Sequence, residues 1–216
     1  MNTFSIGAAL GFGWETFKKR PGFLIGASVC GVALSWLASA VSGAPAGTSA
    51  GWSVVTFLVS LALSTLVSMG ITAFILRAHD DIARVSLNDL WHPQPFWNYL
   101  GAVVLVGIVT ITGFVLLIIP GIIATLMFAF TKYIVIDHGM EPVEAMKESA
   151  RITHGARWQI LLFFFTLIGL NILGALALGI GLLVTGPVSM LAMVHVYRTL
   201  ARTAPKTHPN TSAISA

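Results

Sequence analysis

Four stretches of this sequence run for twenty residues or more with a single charge among them: Gly22–Val41, Ser53–Leu76, Leu100–Ile136 and Trp158–Val196, the charge being Lys132. About 20 apolar residues in a helix cross a hydrocarbon core of roughly 30 Å. The first two stretches each suit one crossing. The other two are too long, since as single helices they would extend about 55 Å and about 58 Å. Each contains a place to fold back, Pro120-Gly121 in one and Gly179-Ile180-Gly181 in the other. Splitting there gives Leu100–Ile119 and Ile122–Ile136, then two arms about Gly179. The predicted fold is an all-α polytopic transmembrane bundle of about six spans, arranged as three helical hairpins. The charge content fits: 9% of the chain is charged and 56% hydrophobic, against roughly 25% charged in soluble domains. That leaves too little polar surface to coat the chain in water.

Charge placement orients the bundle. Lys18, Lys19, Arg20, Arg77, Arg84, Lys147, Arg151, Arg157, Arg198, Arg202 and Lys206 all fall in segments that share one side if the chain starts in the cytoplasm. The opposite connections, Ser42–Trp52, Pro120-Gly121 and the Gly179 turn, carry no charge. This is the positive-inside pattern of a membrane protein with both termini cytoplasmic. Lys132 lies inside span four near its cytoplasmic end, where its stem reaches toward the headgroups. The basic character therefore serves orientation, and nucleic acid is not an expected partner. Lys18-Lys19-Arg20 followed by an apolar run and Ala38-Ser39-Ala40 also has the outline of a signal peptide. The long run and the 17 residues before the basic cluster argue for a retained span. A lipoprotein signal ending at Cys30 is opposed by Val29, and as the lone cysteine Cys30 can form no disulfide within the chain.

The organisation reads as one domain over 1–200, in three units of about 1–76, 77–136 and 137–200, followed by a disordered cytoplasmic tail at 201–216 rich in Pro, Thr, Ser and Ala. Each unit opens with an interfacial segment. Ile6, Leu10, Trp14 and Phe17 recur at helical spacing in the first. Trp91, Phe96, Trp97 and Tyr99 cluster in the second, where Pro93 and Pro95 disfavour a regular helix. In the third, Pro142 suits a first helical turn, Val143, Met146 and Ala150 share a face, and Gly155 can end the helix.

Lipid tails provide no hydrophobic drive for helices to associate, so small residues and short polar contacts must do it. Gly22, Gly26 and Cys30 recur every four residues in span one, as do Ala27, Gly31, Ser35 and Ser39; Ser60, Ser64, Ser68 and Thr72 do so in span two. These are the expected packing seams, the serines alternatively lining a polar path. Pro120 and Gly121 mark a hairpin, and Gly186-Pro187 a kink in span six. Asn171 and His195 are the candidate polar positions inside the membrane. Asn171 is expected to hydrogen-bond a neighbouring helix and His195 to lie near the interface.

No constellation for catalysis or a cofactor stands out. His79, Asp80, Asp81, Asp89 and His92 have the residue types for a divalent ion, but adjacent acids on a helix point apart and a solvated loop is the simpler reading. Asp137, His138, Ser149 and His154 offer hydrolase residue types without a nucleophile motif. Gly7, Gly11 and Gly13 follow no strand and precede no Lys-Ser/Thr pair, so they form no phosphate loop. No catalytic residue, metal ligand or cofactor is assigned.

Ile119-Pro120-Gly121-Ile122-Ile123, then Gly139, Pro142, Ala145, Ser149, Gly155 and Trp158, then Thr185-Gly186-Pro187 and Tyr197-Arg198 resemble a group of bacterial multi-pass membrane proteins. The group includes the YciC-like proteins and the membrane domain attached to some glycerophosphoryl diester phosphodiesterases. The resemblance runs from Trp97 to Leu200; Ala150 stands where many members carry an aromatic. It implies a six-span inner-membrane protein. It carries no catalytic residue to this chain, because catalysis in the phosphodiesterases belongs to a separate soluble domain. The functional expectation is a non-catalytic protein with an envelope, scaffolding or lipid-associated role. The alternatives are a small-molecule or lipid transporter and a membrane-surface metal-dependent enzyme. Expected partners are membrane lipids, with a homo-oligomer or another membrane protein also in view.

Overall fold

A computed structural model describes residues 4–41, 50–82, 85, 95–177 and 179–204. Among the described residues there are nine α-helices and no strand: α1 (Ile6–Lys19), α2 (Pro21–Val41), α3 (Ala50–Asp80), α4 (Phe96–Leu116), α5 (Ile118–Met127), α6 (Thr131–His138), α7 (Pro142–Thr153), α8 (Arg157–Leu176) and α9 (Leu182–Thr203). The all-α bundle is as predicted. The expected tail, Asp89 and His92, and most of the first outer connection lie outside the described residues.

Among the described residues four segments are long and apolar enough to cross a membrane: Trp52–Asp80, Phe96–Leu116, Ile118–His138 and Arg157–Leu176. A fifth is reached if α1 and α2, bent by 101° to one another, count as one broken span. About six were expected; the described residues hold four, or five with that pair, by length and composition. The α9 helix is outside that set; Pro187, Ser189, His195, Tyr197 and Arg198 dilute its apolar character. It lies instead in the centre of the bundle, with Leu191, Ala192, Val194, Val196 and Leu200 shielded by α1, α2, α3, α7 and α8. Outside this core the surface is greasy. Trp36, Val115, Leu116, Ile119 and Leu176 are all exposed. An apolar belt of that extent is stable where hydrocarbon replaces water.

The hairpin expected at Pro120-Gly121 turns three residues earlier. Leu117, with φ −165° and ψ 149°, is the extended residue between α4 and α5, and Pro120 sits in the first turn of α5. A proline is tolerated there because N–H groups of a first turn have no partner inside the helix. Gly121 still serves the hairpin: a Cβ on it would lie 2.5 Å from the Phe114 ring, and one on Gly113 would lie 3.0 Å from the Gly121 Cα. The turn at Gly179-Ile180-Gly181 falls where expected, with Gly179 at φ +75°. Next to it Gly181 and Gly174 bring α9 and α8 so close that a Cβ on Gly181 would sit 2.5 Å from the Gly174 carbonyl oxygen.

The α1 helix presents Ala9, Gly13, Thr16 and Phe17 to the core, while Trp14 is exposed. Its small face lies against α9, and a Cβ on Gly13 would meet the Val188 carbonyl at 2.6 Å. The α7 helix buries Ala145, Ser149, Ile152 and Thr153, leaving Val143 exposed. In α1 a small residue allows close approach to α9 beside buried Phe17. Tyr99, expected at the interface, is fully buried inside α4.

Candidate functional site

The seam residues divide into two groups. In α2, Gly22 and Gly26 are exposed and a Cβ on either would touch nothing within 4 Å, so the expected seam does not run through them. The packed positions are Ala27 and Gly31; a Cβ added at Gly31 would meet the Ile71 side chain of α3 at 3.1 Å. In α3, Ser68 Oγ lies 2.8 Å and Thr72 Oγ1 3.3 Å from the Tyr99 hydroxyl, a contact between α3 and α4. Ser60 and Ser64 instead donate to the carbonyls of Phe57 and Leu61 in their own helix, at 2.8 and 3.0 Å. Ser35 does the same to Gly31 at 2.8 Å. Serines so engaged keep their oxygen lone pairs free on the outward side.

Those lone pairs face a cavity of about 490 Å³ lined by Ser35, Ser60, Ser64, Ser68 and Thr72 together with Lys132 of α6. Phe57 and Met190, both exposed, form part of its rim, so it opens on the apolar surface of the bundle. An apolar cavity of about 400 Å³ adjoins it, shares Ser35, Ile71 and Met190, and ends against Gly186 and Pro187. Pro187 has no N–H to give the Leu183 carbonyl, yet α9 runs as one helix from Leu182 to Thr203.

Lys132 is the unusual member. Its ammonium lies 5.1 Å from the centroid of the Tyr133 ring, and it has no carboxylate within salt-bridge distance among the described residues. A third cavity, of about 440 Å³, also reaches Lys132. There the Thr131 hydroxyl is buried with no hydrogen-bond partner among the described residues.

The nearest acid in sequence, Asp137, is engaged elsewhere. Its Oδ2 accepts from Arg198 Nη1 and from the Tyr197 hydroxyl, each at 2.8 Å. Arg198 Nη2 donates to Asp80 at 2.7 Å, Asp80 meets His79 at 3.2 Å, and His79 meets His195 at 3.4 Å. Phe12 of α1 stacks on His195, with ring centroids 4.5 Å apart. This polar chain joins α3, α6 and α9. It replaces the solvated-loop expectation for His79 and Asp80, because the last turn of α3 is packed against α9. Arg20 Nη1 donates to the Ile82 carbonyl at 3.1 Å, so the basic end of α1 belongs to the same end of the bundle. No group of three His, Cys, Asp or Glu side chains among the described residues is arranged to hold a metal ion.

The other flagged polar residues have structural employment. Asn171 Nδ2 donates to Ser189 Oγ at 2.9 Å and to the Leu167 carbonyl at 2.8 Å; its Oδ1 accepts from Thr185 at 3.1 Å. It clasps α8 to α9 as expected. Ser149 closes the break between α5 and α6: its hydroxyl donates to the Met127 carbonyl at 2.8 Å and accepts from the Phe130 N–H at 3.3 Å. Ser149 is committed to backbone and Asp137 to Arg198 and Tyr197, so neither is free to serve the hydrolase types of Asp137, His138, Ser149 and His154. Outside the membrane-spanning segments, the Arg151 guanidinium, 2.7 Å away through Nε, holds the Glu148 carboxyl below its ordinary range.

Sequence reasoning assigned Lys132 to headgroup reach and overlooked the cavity. Its signal was available, as the single charge in the four apolar stretches. The pairing of Asp137 and Asp80 with Arg198 had no comparable signal, since 61 and 118 residues separate the partners.

Residues 96–204 match a family described as a protein of unknown function, DUF975. That segment coincides with the one carrying the sequence resemblance; the match gives no link to YciC-like proteins or to phosphodiesterases. No curated protein and no solved structure is matched.

Proposed function

The chain belongs to the DUF975 family of proteins of unknown function, and on that premise we propose that it has a non-catalytic, lipid-associated role in a bacterial inner membrane. The observation that carries this reading is the cavity beside α3, which opens on the apolar belt and combines a cation, a row of hydroxyl oxygens and hydrocarbon walls. Pockets that place a few polar groups in an apolar lining suit amphiphiles. The acids and hydroxyls whose residue types would suit catalysis hold helices together instead. Extraction into native polymer discs followed by extensive lipid exchange provides the test. Lipid retained at a small fixed number per chain supports the role; composition indistinguishable from the surrounding bilayer refutes it.

The same reading puts both termini in the cytoplasm. Arg20, Asp80, Asp137 and Arg198 gather at one end, which supports a single cytoplasmic face under the positive-inside rule. Cysteines substituted at Lys19 and Arg151 should react with an impermeant maleimide from the same side, and reaction from opposite sides overturns the orientation. A second reading, a lipid or small-molecule transporter, draws on Lys132 bordering two cavities. Protein-dependent exchange of labelled lipid between vesicle leaflets would favour it over a static role.

A further inference from the structure

Lys132 poses a specific electrostatic problem. An ammonium inside an apolar belt is costly unless it is paired or wetted. Within its own helix the first acid is Asp137, five residues on and therefore about 140° around the axis. Asp137 already accepts from both Arg198 and Tyr197. The aromatic face of Tyr133 is the compensation the chain itself supplies. Among the described residues no carboxylate pairs with Lys132, and a bound anion would supply the counter-charge.

The walls say what kind of anion. Ser60, Ser64 and Ser35 spend their hydroxyl protons on their own helices, so they offer the cavity acceptors rather than donors. A site with one cation and a row of acceptors matches a ligand with one negative charge and hydroxyl donors close to it. From Ser60 to Thr72 the row spans about 18 Å of helix, the scale of an amphiphile rather than a small ion. The adjoining cavity at Pro187 is apolar and shares Ser35, Ile71 and Met190 with the polar one, which gives a hydrocarbon chain a place beside the head.

We propose that this double cavity is a binding site for an acidic phospholipid with a hydroxyl-bearing headgroup, its phosphate paired with Lys132, its headgroup hydroxyls donating to the α3 serines, and an acyl chain in the apolar cavity at Pro187. The proposal rests on the lipid-associated reading and gives that site its ligand class. Hydrogen bonds to a charged group are worth enough to discriminate by about tenfold.

The test is native mass spectrometry of the full chain released from phosphatidylcholine discs doped with phosphatidylglycerol or with phosphatidic acid. Phosphatidylglycerol should be retained about tenfold over phosphatidylcholine, with phosphatidic acid, which lacks headgroup hydroxyls, in between. Lys132→Gln should abolish the preference, Lys132→Arg should keep it, and Lys147→Gln on the exposed side of α7 should leave it unchanged. Ser60→Ala with Ser64→Ala should lower phosphatidylglycerol to the level of phosphatidic acid. A preference untouched by Lys132→Gln overturns the site while leaving the lipid-associated role in place. A native chain that retains no lipid overturns both. Free anion is the remaining source of the same chemistry: if inorganic phosphate shields Lys132 from amine acetylation in pure phosphatidylcholine discs as well as phosphatidylglycerol does, the lipid assignment falls.

Discussion

Replacing Ser149 with alanine should unlatch the α5–α6 break and little else. The hydroxyl is fully buried and serves two backbone groups that the break leaves without helical partners, the Met127 carbonyl and the Phe130 N–H. An unsatisfied buried group costs roughly 1–3 kcal/mol. The Met127 carbonyl keeps a weak contact with Thr153 Oγ1 at 3.4 Å, so its share is at the low end. The Phe130 N–H, donating at 3.3 Å, bears the rest. Alanine returns about 0.5 kcal/mol through its better helix propensity within α7. The net loss is about 2 kcal/mol, which should speed local amide exchange at Phe130 about 30-fold. Hydrogen exchange of the protein in lipid discs reads this directly. Ser64→Ala is the comparison, because that hydroxyl bonds only its own helix at Leu61 and is exposed. Equal effects of the two substitutions, or unchanged exchange at Phe130 in the Ser149 variant, would refute the assignment of Ser149 as the latch.

Gly13→Ala should force α1 away from α9, since the added methyl meets the Val188 carbonyl at 2.6 Å; overpacking of this kind costs about 1–3 kcal/mol, and an SDS-unfolding midpoint should fall, while Gly26→Ala, which meets open space, should not move it. Asp137→Asn should destabilise by about 2 kcal/mol, because Arg198 and Tyr197 both lose their charged acceptor in a half-buried setting. Asp80→Asn should cost clearly less, as its side chain is 54% exposed against 16% for Asp137; the same unfolding assay ranks them. The Glu148–Arg151 pair lowers the Glu148 pKa in the folded state, so its contribution is present above the unfolded carboxyl pKa and is lost as pH falls through the lower folded value. With side chains 27% and 29% exposed, that contribution is about 0.5 kcal/mol. The stability gap between the native chain and Glu148→Gln should therefore be open at neutral pH and close in acid.

Long-range order in this chain divides according to how far apart the interacting groups lie in sequence. The turns at Leu117 and Gly179 were readable to within three residues, because uninterrupted hydrocarbon cannot exceed the bilayer and glycine and proline mark where it stops. The Asn171 clasp was readable as a role, since a buried amide must find a partner, although Ser189 and Thr185 could not be named. The stripes on α1 and α7 were visible, but not which residues meet the neighbouring helices. On α1 the close approach to α9 is at Gly13 while the next residue, Trp14, is exposed; on α7, outside the membrane-spanning segments, Ala145, Ser149 and Ile152 are buried and Val143 is exposed. Of the candidate site, the serine spacing along α3 was visible and its counterpart Lys132 was visible, but not their meeting.

Composition and the spacing of charge by themselves determined that this is an all-α bundle of helices apolar enough for a membrane, and roughly where it turns. These follow from the free energy of transferring each segment into hydrocarbon, a property of the segment alone. Tertiary structure decided which helix is central, which small faces close on one another, which acids Arg198 neutralises, and that Lys132 is left facing a hydroxyl-lined cavity with its nearest acid already taken. Those outcomes depend on distances between residues tens to more than a hundred positions apart, and no local free energy encodes them.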